Sequence, residues 1–492
     1  MAKRFGLTSQ CIEDITSVFK LHPEIEEAVM FGSRAMGTYK KGSDIDIALK
    51  GFQLSFDVIG SVKAQLDELP YAYTYDIVNY HKISNKSVVA HIDELGISFY
   101  KKETPSKWKS YKLGEFADIN PKVPLKQGNE YSFVEMKDLY STMKFVLPSS
   151  KRELKGGSKF QNGDTLFARI TPCLENGKIS QVKGLENGVG FGSTEFLVFR
   201  GKNNVSDSDF VYYLTRTKYV RNNAIQMMTG TSGRQRVEKT ALEGLEIFAP
   251  ESISTQRSIA SILSSLDDKI ELNLQMNQTL EATAQAIFKE WFVNFNFPGF
   301  DGKLVDGLPK GWRMGKLDEV AVNFDSKRIP LSGRERAEKK GTYPYYGAAS
   351  ILDYVEDYIF DGTYLLMGED GTVITSEGFP VLQYVWGKFW VNNHTHVLQG
   401  KAPFTTEYLF LLLSRTQITH IITGAVQPKI NQGNMNRIDC VIPEKSVLEK
   451  FQEVIIPLFE KRKTILDENK TLIQVRDGLL PKLMTGKIEI RN

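Results

Sequence analysis

A unit of this chain is written twice, and that duplication constrains the architecture before any local structure does. Pro105, Trp108, Leu113 and Glu115 in PSKWKSYKLGE return 204 residues later as Pro309, Trp312, Leu317 and Glu319 in PKGWRMGKLDE. TGTSGRQRVEKTALEGLEIFAPE from Thr229 is echoed by TGAVQPKINQGNMNRIDCVIPE from Thr423, each ending in an apolar, strand-like stretch and Pro-Glu. One segment opens a unit and the other closes it. The intervening residues, about 108–253 and 312–445, are rich in Gly, aromatics and short β-branched runs such as EFLVFR and THVLQG, which reads as mixed, strand-rich globular heads. The two heads differ from each other far more than do the helical segments after them.

After each closing Pro-Glu, apolar residues fall alternately four and three apart, as a coiled-coil seam requires. The first seam runs Ile259, Leu263, Leu266, Ile270, Asn273, Asn277, Leu280, Ala284, Ile287, Trp291, about 33 residues or roughly 50 Å of helix. The second, offset by 196, runs Ile455, Phe459, Arg462, Leu466, Asn469, Ile473, Arg476, Leu480, Leu483. Asn273 and Asn469 thus take matching places. A polar Asn in such a seam costs stability but fixes register, which favours pairing of the two helices; two independent amphipathic helices with Asn facing water are the alternative.

A length of 492 residues predicts about three domains. Ordinary proportions of apolar (41%) and charged (25%) residues exclude a largely disordered or membrane-embedded chain. The net charge of +3 is too mild to identify a nucleic-acid partner. Its distribution says more: residues 1–102 hold 12 Lys and Arg against 13 Asp and Glu, leaving 50 against 46 for the remainder, so basic surface belongs mostly after residue 102. Three scattered cysteines, Cys11, Cys173 and Cys440, fit a reducing cytoplasm, and no signal core or run of eighteen apolar residues predicts secretion or membrane insertion.

The order head, long helix, head, long helix resembles the specificity subunit of Type I restriction-modification systems. SLDDKIELNLQMNQTLEATAQAIFKEWFVNF (265–295) is similar to that family's central conserved region and ENKTLIQVRDGLLPKLMTGKIEI (468–490) to its C-terminal one. The resemblance covers about residues 104–492. It implies a non-catalytic reader of double-stranded DNA, with each head gripping half of a split target, antiparallel helices setting the separation, and methyltransferase and restriction subunits as partners. Independently, the chain contains neither a GxxxxGK[ST] phosphate loop nor an NPP[FY] base-methylation motif, so methylation and cleavage would come from those partners. No cofactor is expected in this part.

DNA-contact candidates are chosen by position. Arg234 and Arg236 lie in the Gly-rich TGTSGRQR loop, where small residues let backbone approach a phosphate and Arg adds bidentate bonds. Their counterpart is Lys429, with Gln427 and Asn431 nearby as groups able to reach bases. A solvated hairpin with ordinary surface charges is the bland alternative, disfavoured because the element recurs. Arg169 in LFARITPC and Glu369 with Asp370 in LLMGEDG come after a strand at corresponding places, a weaker sign of base reading. Trp108 and Trp312 read as core anchors. His394 and His396 share a strand face without an evident third metal ligand, and read as structural or DNA-facing.

The first hundred residues carry a separate signal. In AVMFGSRAMGTYKKGSDIDIAL, Gly32-Ser33 comes after an apolar strand and Asp44-Ile-Asp46 ten residues later on another. Residues two apart on a strand face the same way, so Asp44 and Asp46 project two carboxylates together, as divalent cations need. Gly32 permits a tight turn whose N–H groups, with the Ser33 hydroxyl, could hold a triphosphate. Asp76 in AYTYDIVNY supplies a third carboxylate on a neighbouring strand. The pattern resembles the minimal nucleotidyltransferase domains of the polymerase-beta superfamily. By that resemblance Gly32 and Ser33 hold phosphates, Asp44, Asp46 and Asp76 are the catalytic Mg2+ ligands, and a nucleoside triphosphate is the substrate. Related small domains attach a nucleotide to a partner protein, which makes a partner-modifying nucleotidyltransferase with a C-terminal recognition module the rival reading.

The expected fold is α+β and multidomain: a small α/β nucleotidyltransferase-like domain (1–102), two mixed strand-rich target-recognition domains (103–253 and 298–445), and two long antiparallel coiled-coil helices (254–297 and 446–492).

Overall fold

The computed structural model describes all residues except 1–3, 52–53, 103–107, 232, 425–426, 489 and 491–492. The junction between the first domain and the first head, with Pro105, lies outside the described residues. The chain divides into two compact units, 1–271 with 470–492, and 272–469.

In the first unit, the N-terminal domain is a four-stranded sheet ordered Tyr75–Asn79, Ile45–Lys50, Glu27–Met30, Ile97–Lys101. Alternation along the second strand sorts its two faces. Ile45, Ile47 and Leu49 enter a core with Cys11, Ile15 and Phe19 of helix Ser9–Leu21 and Val62 and Leu66 of helix Phe56–Asp67. Ala48, on the other face, packs with Val29 and with Ile92 of helix Lys86–Leu95. Thr8, Ser55 and Asn85 cap the three helices with side-chain oxygens that accept from the first-turn N–H groups.

The two heads are built on the same pair of sheets. One sheet of the first head is ordered Ala117–Ile119, Phe196–Gly201, Thr165–Ala168, Ile179–Val182, with Phe145–Val146 added at its edge; the second head repeats it as Ala321–Asn323, Thr395–Gly400, Tyr364–Gly368, Leu382–Val385. The other sheet runs Ser158–Gln161, Val189–Gly192, Glu130–Val134, Ser150–Glu153 in the first head and Phe360–Asp361, Lys388–Val391, Lys340–Tyr346, Ile351–Val355 in the second. Thr165–Ala168 and Tyr364–Gly368 are buried along their whole length, which is why they read as apolar runs and not as alternating strands. The repeated opening and closing segments pair with each other, Trp108–Lys112 with Glu246–Pro250 and Arg313–Lys316 with Asp439–Ile442. Their recurrence in the sequence thus marks a clasp that shuts each head. Trp312 is buried in its core against Phe292, Phe295 and Phe297, and Trp108 stacks on Phe248.

Both long helices, Ile253–Phe292 and Lys445–Met484, have 40 residues. In the first unit Arg476 Nη1 donates to Asp267 at 2.6 Å; in the second, Asn273 Nδ2 donates to Asn469 Oδ1 at 2.8 Å and Arg462 pairs with Glu281 at 2.7 Å. Partner numbers fall as helix numbers rise, so the helices run antiparallel. The matched asparagines are buried and bonded to each other. The buried strip departs from the expected seam in three places, one of them in the second helix, where Ile465 is buried and Leu466 half-buried. Asp267 is buried where Leu266 is only half-buried, because Tyr213 and Arg476 saturate both its oxygens. Beyond Ala284 the buried residues are Phe288 and Phe292, with Ile287 and Trp291 half-buried, since this stretch also builds the second head's core with Tyr408 and Phe451. A helix serving a head as well as a partner keeps to the 3.6-residue period there, which drifts from a strict heptad.

Candidate nucleotide site and DNA-reading loops

The N-terminal domain gathers its predicted residues at one end of the sheet. Asp46 and Asp76 are direct neighbours on parallel strands, so their side chains share a face, and Asp44 lies just before the strand begins, near enough for its charge to act on Asp46. Gly32 starts the helical turn Gly32–Met36 directly after strand Glu27–Met30, at φ +68°, and a Cβ on it would stand 2.3 Å from Asp46 Oδ2. Only glycine allows both that backbone and that approach. Ser33 is next in the turn.

Burial, then the Asp76 and Asp44 charges, push the Asp46 carboxyl above its ordinary range, against a smaller lowering by Arg34. Arg34 is a site residue that motif reading missed. Its buried guanidinium donates to the carbonyls of Phe5 (2.9 Å), Asp44 (2.9 Å) and Ser43 (2.6 Å), and so positions the loop that carries Asp44. The available signal was its place directly after Gly-Ser.

A second acidic group lies in the second head. Among the described residues, Asp325, Glu369 and His396 are the one set of potential metal ligands whose atoms all lie within 4.8 Å of one another; the Asp44, Asp46 and Asp76 oxygens are further spread. The second set already holds a cation: Arg328 Nη1 stands 2.7 Å from Glu369 Oε2 and Nη2 3.6 Å from Asp325. His396 is fully engaged, Nδ1 with Asp325 at 2.6 Å and Nε2 with the Ile430 carbonyl at 2.8 Å. The cluster is an ion-pair network occupied by protein groups. His394, in contrast, is exposed and meets Asp370 at 2.5 Å, so the two histidines do not form one site.

The loop candidates occupy equivalent places in the heads. The Arg169 N–H donates to Glu195 O (3.0 Å) and its carbonyl accepts from Val237 (3.0 Å); Glu369 does the same with His394 O (2.9 Å) and Ile430 (2.8 Å). Isolated bridges join Ile170 to Arg236 and Asp370 to Lys429. Arg236 forms a fork on Glu195 (2.9 and 2.6 Å), Arg169 pairs with Glu238 at 2.6 Å, and Lys429 lies 3.7 Å from Glu369. Arg234 and Gln427 are exposed at the loop tips. The Asn431 side-chain oxygen caps the helix Gln432–Asn436 by accepting from Asn434 N–H at 2.8 Å, which leaves its NH2 free of that role.

A family model described as the Type I restriction modification DNA specificity domain matches residues 105–282 and 309–474, and one described as Polymerase beta, Nucleotidyltransferase matches 13–105. The Type I restriction enzyme HindI specificity subunit of Haemophilus influenzae is 24% identical over 474 residues, covering 78% of this chain and 100% of that one. The MjaIX specificity subunit of Methanocaldococcus jannaschii is 25% identical over 58% of this chain and 69% of its own length. A crystal structure of a Type I restriction-modification S subunit from M. genitalium aligns with TM-score 0.45 and 15% identity over 78% of this chain and 97% of that one.

Proposed function

Because the chain belongs to the Type I restriction-modification DNA specificity family, we propose that its two heads read the halves of a bipartite double-stranded DNA target through the Arg169, Arg234 and Arg236 loops in the first and the Gln427, Lys429 and Asn431 loop in the second. The observation that carries this reading is the duplication of one hairpin, closed by Thr229 with Arg236 in the first head and by Thr423 with Lys429 in the second, on one sheet topology. Phosphate contacts from these cations would position the heads, and side chains at the loop tips would reach base edges. Methyltransferase and restriction subunits are the partners, and they supply the chemistry. No helix among the described residues is long and apolar enough to cross a membrane; a cytoplasmic assembly fits a DNA-bound complex. The test is genome-wide mapping of methylated bases in cells carrying the methyltransferase with either the full chain or a copy lacking residues 104–492. A split motif seen only with the full chain is expected, and identical maps would overturn the reading.

The N-terminal domain supports a second activity. Three carboxylates at one sheet end, with the Asp46 carboxyl raised by burial and by its neighbours, are a donor set suited to a hard cation. Asp44, Asp46 and Asp76 would hold Mg2+, which supplies charge neutralisation on a nucleoside triphosphate. Gly32 and Ser33 would hold its phosphates, and Arg34 keeps the Asp44 loop in place. Incubating the complex with labelled ATP and Mg2+ tests this: a labelled partner that is lost on Asp46→Asn is the expected result.

A further inference from the structure

The two heads share backbone geometry at the strand-end loop and invert its charge. Where the first head has Arg169, the second has Glu369, with matching N–H and C=O bonds on either side. Two heads that read different bases would carry different side chains at such a position on a common frame. Building on the DNA-reader assignment, we infer that this position selects a base in each half of the target, Arg169 a guanine and Glu369 a base presenting an exocyclic amino group in the major groove.

The side chains are prepared for those roles. Glu238 stands 2.6 Å from Nη2 of the partly exposed Arg169 side chain. A guanidinium anchored at one corner keeps donors for the O6 and N7 acceptors that guanine places side by side. Glu369 has one oxygen fixed by Arg328 at 2.7 Å, while its other oxygen has only Lys429 at 3.7 Å. That second oxygen can accept a hydrogen from cytosine N4 or adenine N6. Holding each reader before DNA arrives limits the ordering cost of binding.

Methylome mapping with Arg169→Gln and Glu369→Gln tests the inference. Arg169→Gln is expected to make a single G·C position of one half-target degenerate, with roughly a 5- to 150-fold loss of discrimination there and no change in the other half. Glu369→Gln should alter a single position in that other half. The parent map then distinguishes cytosine from adenine. Unchanged motifs at normal methylation levels, or one variant altering both halves, would overturn the inference. A parent without any split motif would instead sink the DNA-reader assignment. If a Gln variant loses all methylation, selection of DNA from a random pool by purified complexes bearing Arg169→Ala and Glu369→Ala decides the matter: loss of discrimination confined to one position per half supports it, and parental specificity refutes it.

Discussion

The protein has two acidic clusters that look alike in composition and differ in what neutralises them. Around Asp46 the neighbouring charges are Asp76 and Asp44, and these add to burial in pushing the carboxyl up. Around Asp325 burial also favours the neutral acid, but a hydrogen bond and charge from His396, with the Asn323 side chain and the Val397 N–H, together outweigh it and hold the carboxyl below its ordinary range, with Arg328 beside it. An acid cluster that brings its own cations leaves no place for a metal ion; one that leaves its repulsion unrelieved is prepared for a cation from outside.

The strongest test of that contrast is Arg328→Ala. It removes the guanidinium from Glu369, Asp325 and the Thr395 carbonyl, and uncompensated partly buried carboxylates should cost about 3–5 kcal/mol of the second head's stability. A urea unfolding curve unchanged by the substitution would mean that the network is solvated. In the N-terminal domain the corresponding experiment adds a cation. Mg2+ at about a hundred times its Kd should raise that domain's stability by about 2.7 kcal/mol. Asp46→Asn should abolish the Mg2+ response and yet raise the metal-free stability, by about 0.5–2 kcal/mol at most, because a functional repulsion has been removed.

Acid should move the two clusters in opposite directions. Asp325 has a folded value below its unfolded one near 4, so its contribution is complete above about pH 4 and is lost as pH falls through the folded value. Asp46 has a raised folded value, so its contribution is lost as pH rises through that value and is fully present below about pH 4. Region-resolved hydrogen exchange between about pH 3 and 6, corrected for intrinsic rates, should show protection near Asp325 falling on acidification while protection near Asp46 rises. Parallel responses would break the comparison. The smallest effect is expected from Lys429→Met, at most about 1 kcal/mol by thermal unfolding, since its ammonium is half-exposed and 3.7 Å from Glu369. Its larger consequence should be weaker DNA binding with a shallower salt dependence.

The same division separates what was legible in the chain from what was not. The repeat announced two like heads and two matched helices, because a clasp of paired strands and an antiparallel helix pair impose residue types at fixed places: Trp108 and Trp312, Asn273 and Asn469. The GS and DxD spacing announced the glycine turn and the acidic strand end for a similar reason. A turn in which a Cβ would stand 2.3 Å from Asp46 Oδ2 tolerates only Gly32, and the strand that IDIALK forms sets Asp46 beside Asp76.

Local pattern could not reveal partners brought together from far along the chain. Asp325 and His396 are 71 residues apart, Asp267 and Arg476 are 209 apart, and Arg34 serves carbonyls both at Phe5 and at Ser43 and Asp44. The heptad reading placed Leu266 in the seam, whereas folding buried Asp267, because Tyr213 of the first head and Arg476 of the other helix met its two oxygens. Sequence by itself determined the elements, their duplication and the chemistry of the motif residues, all of which are set by short-range geometry. Only the tertiary structure decided which charges are neutralised, since that depends on neighbours the chain brings together when it folds.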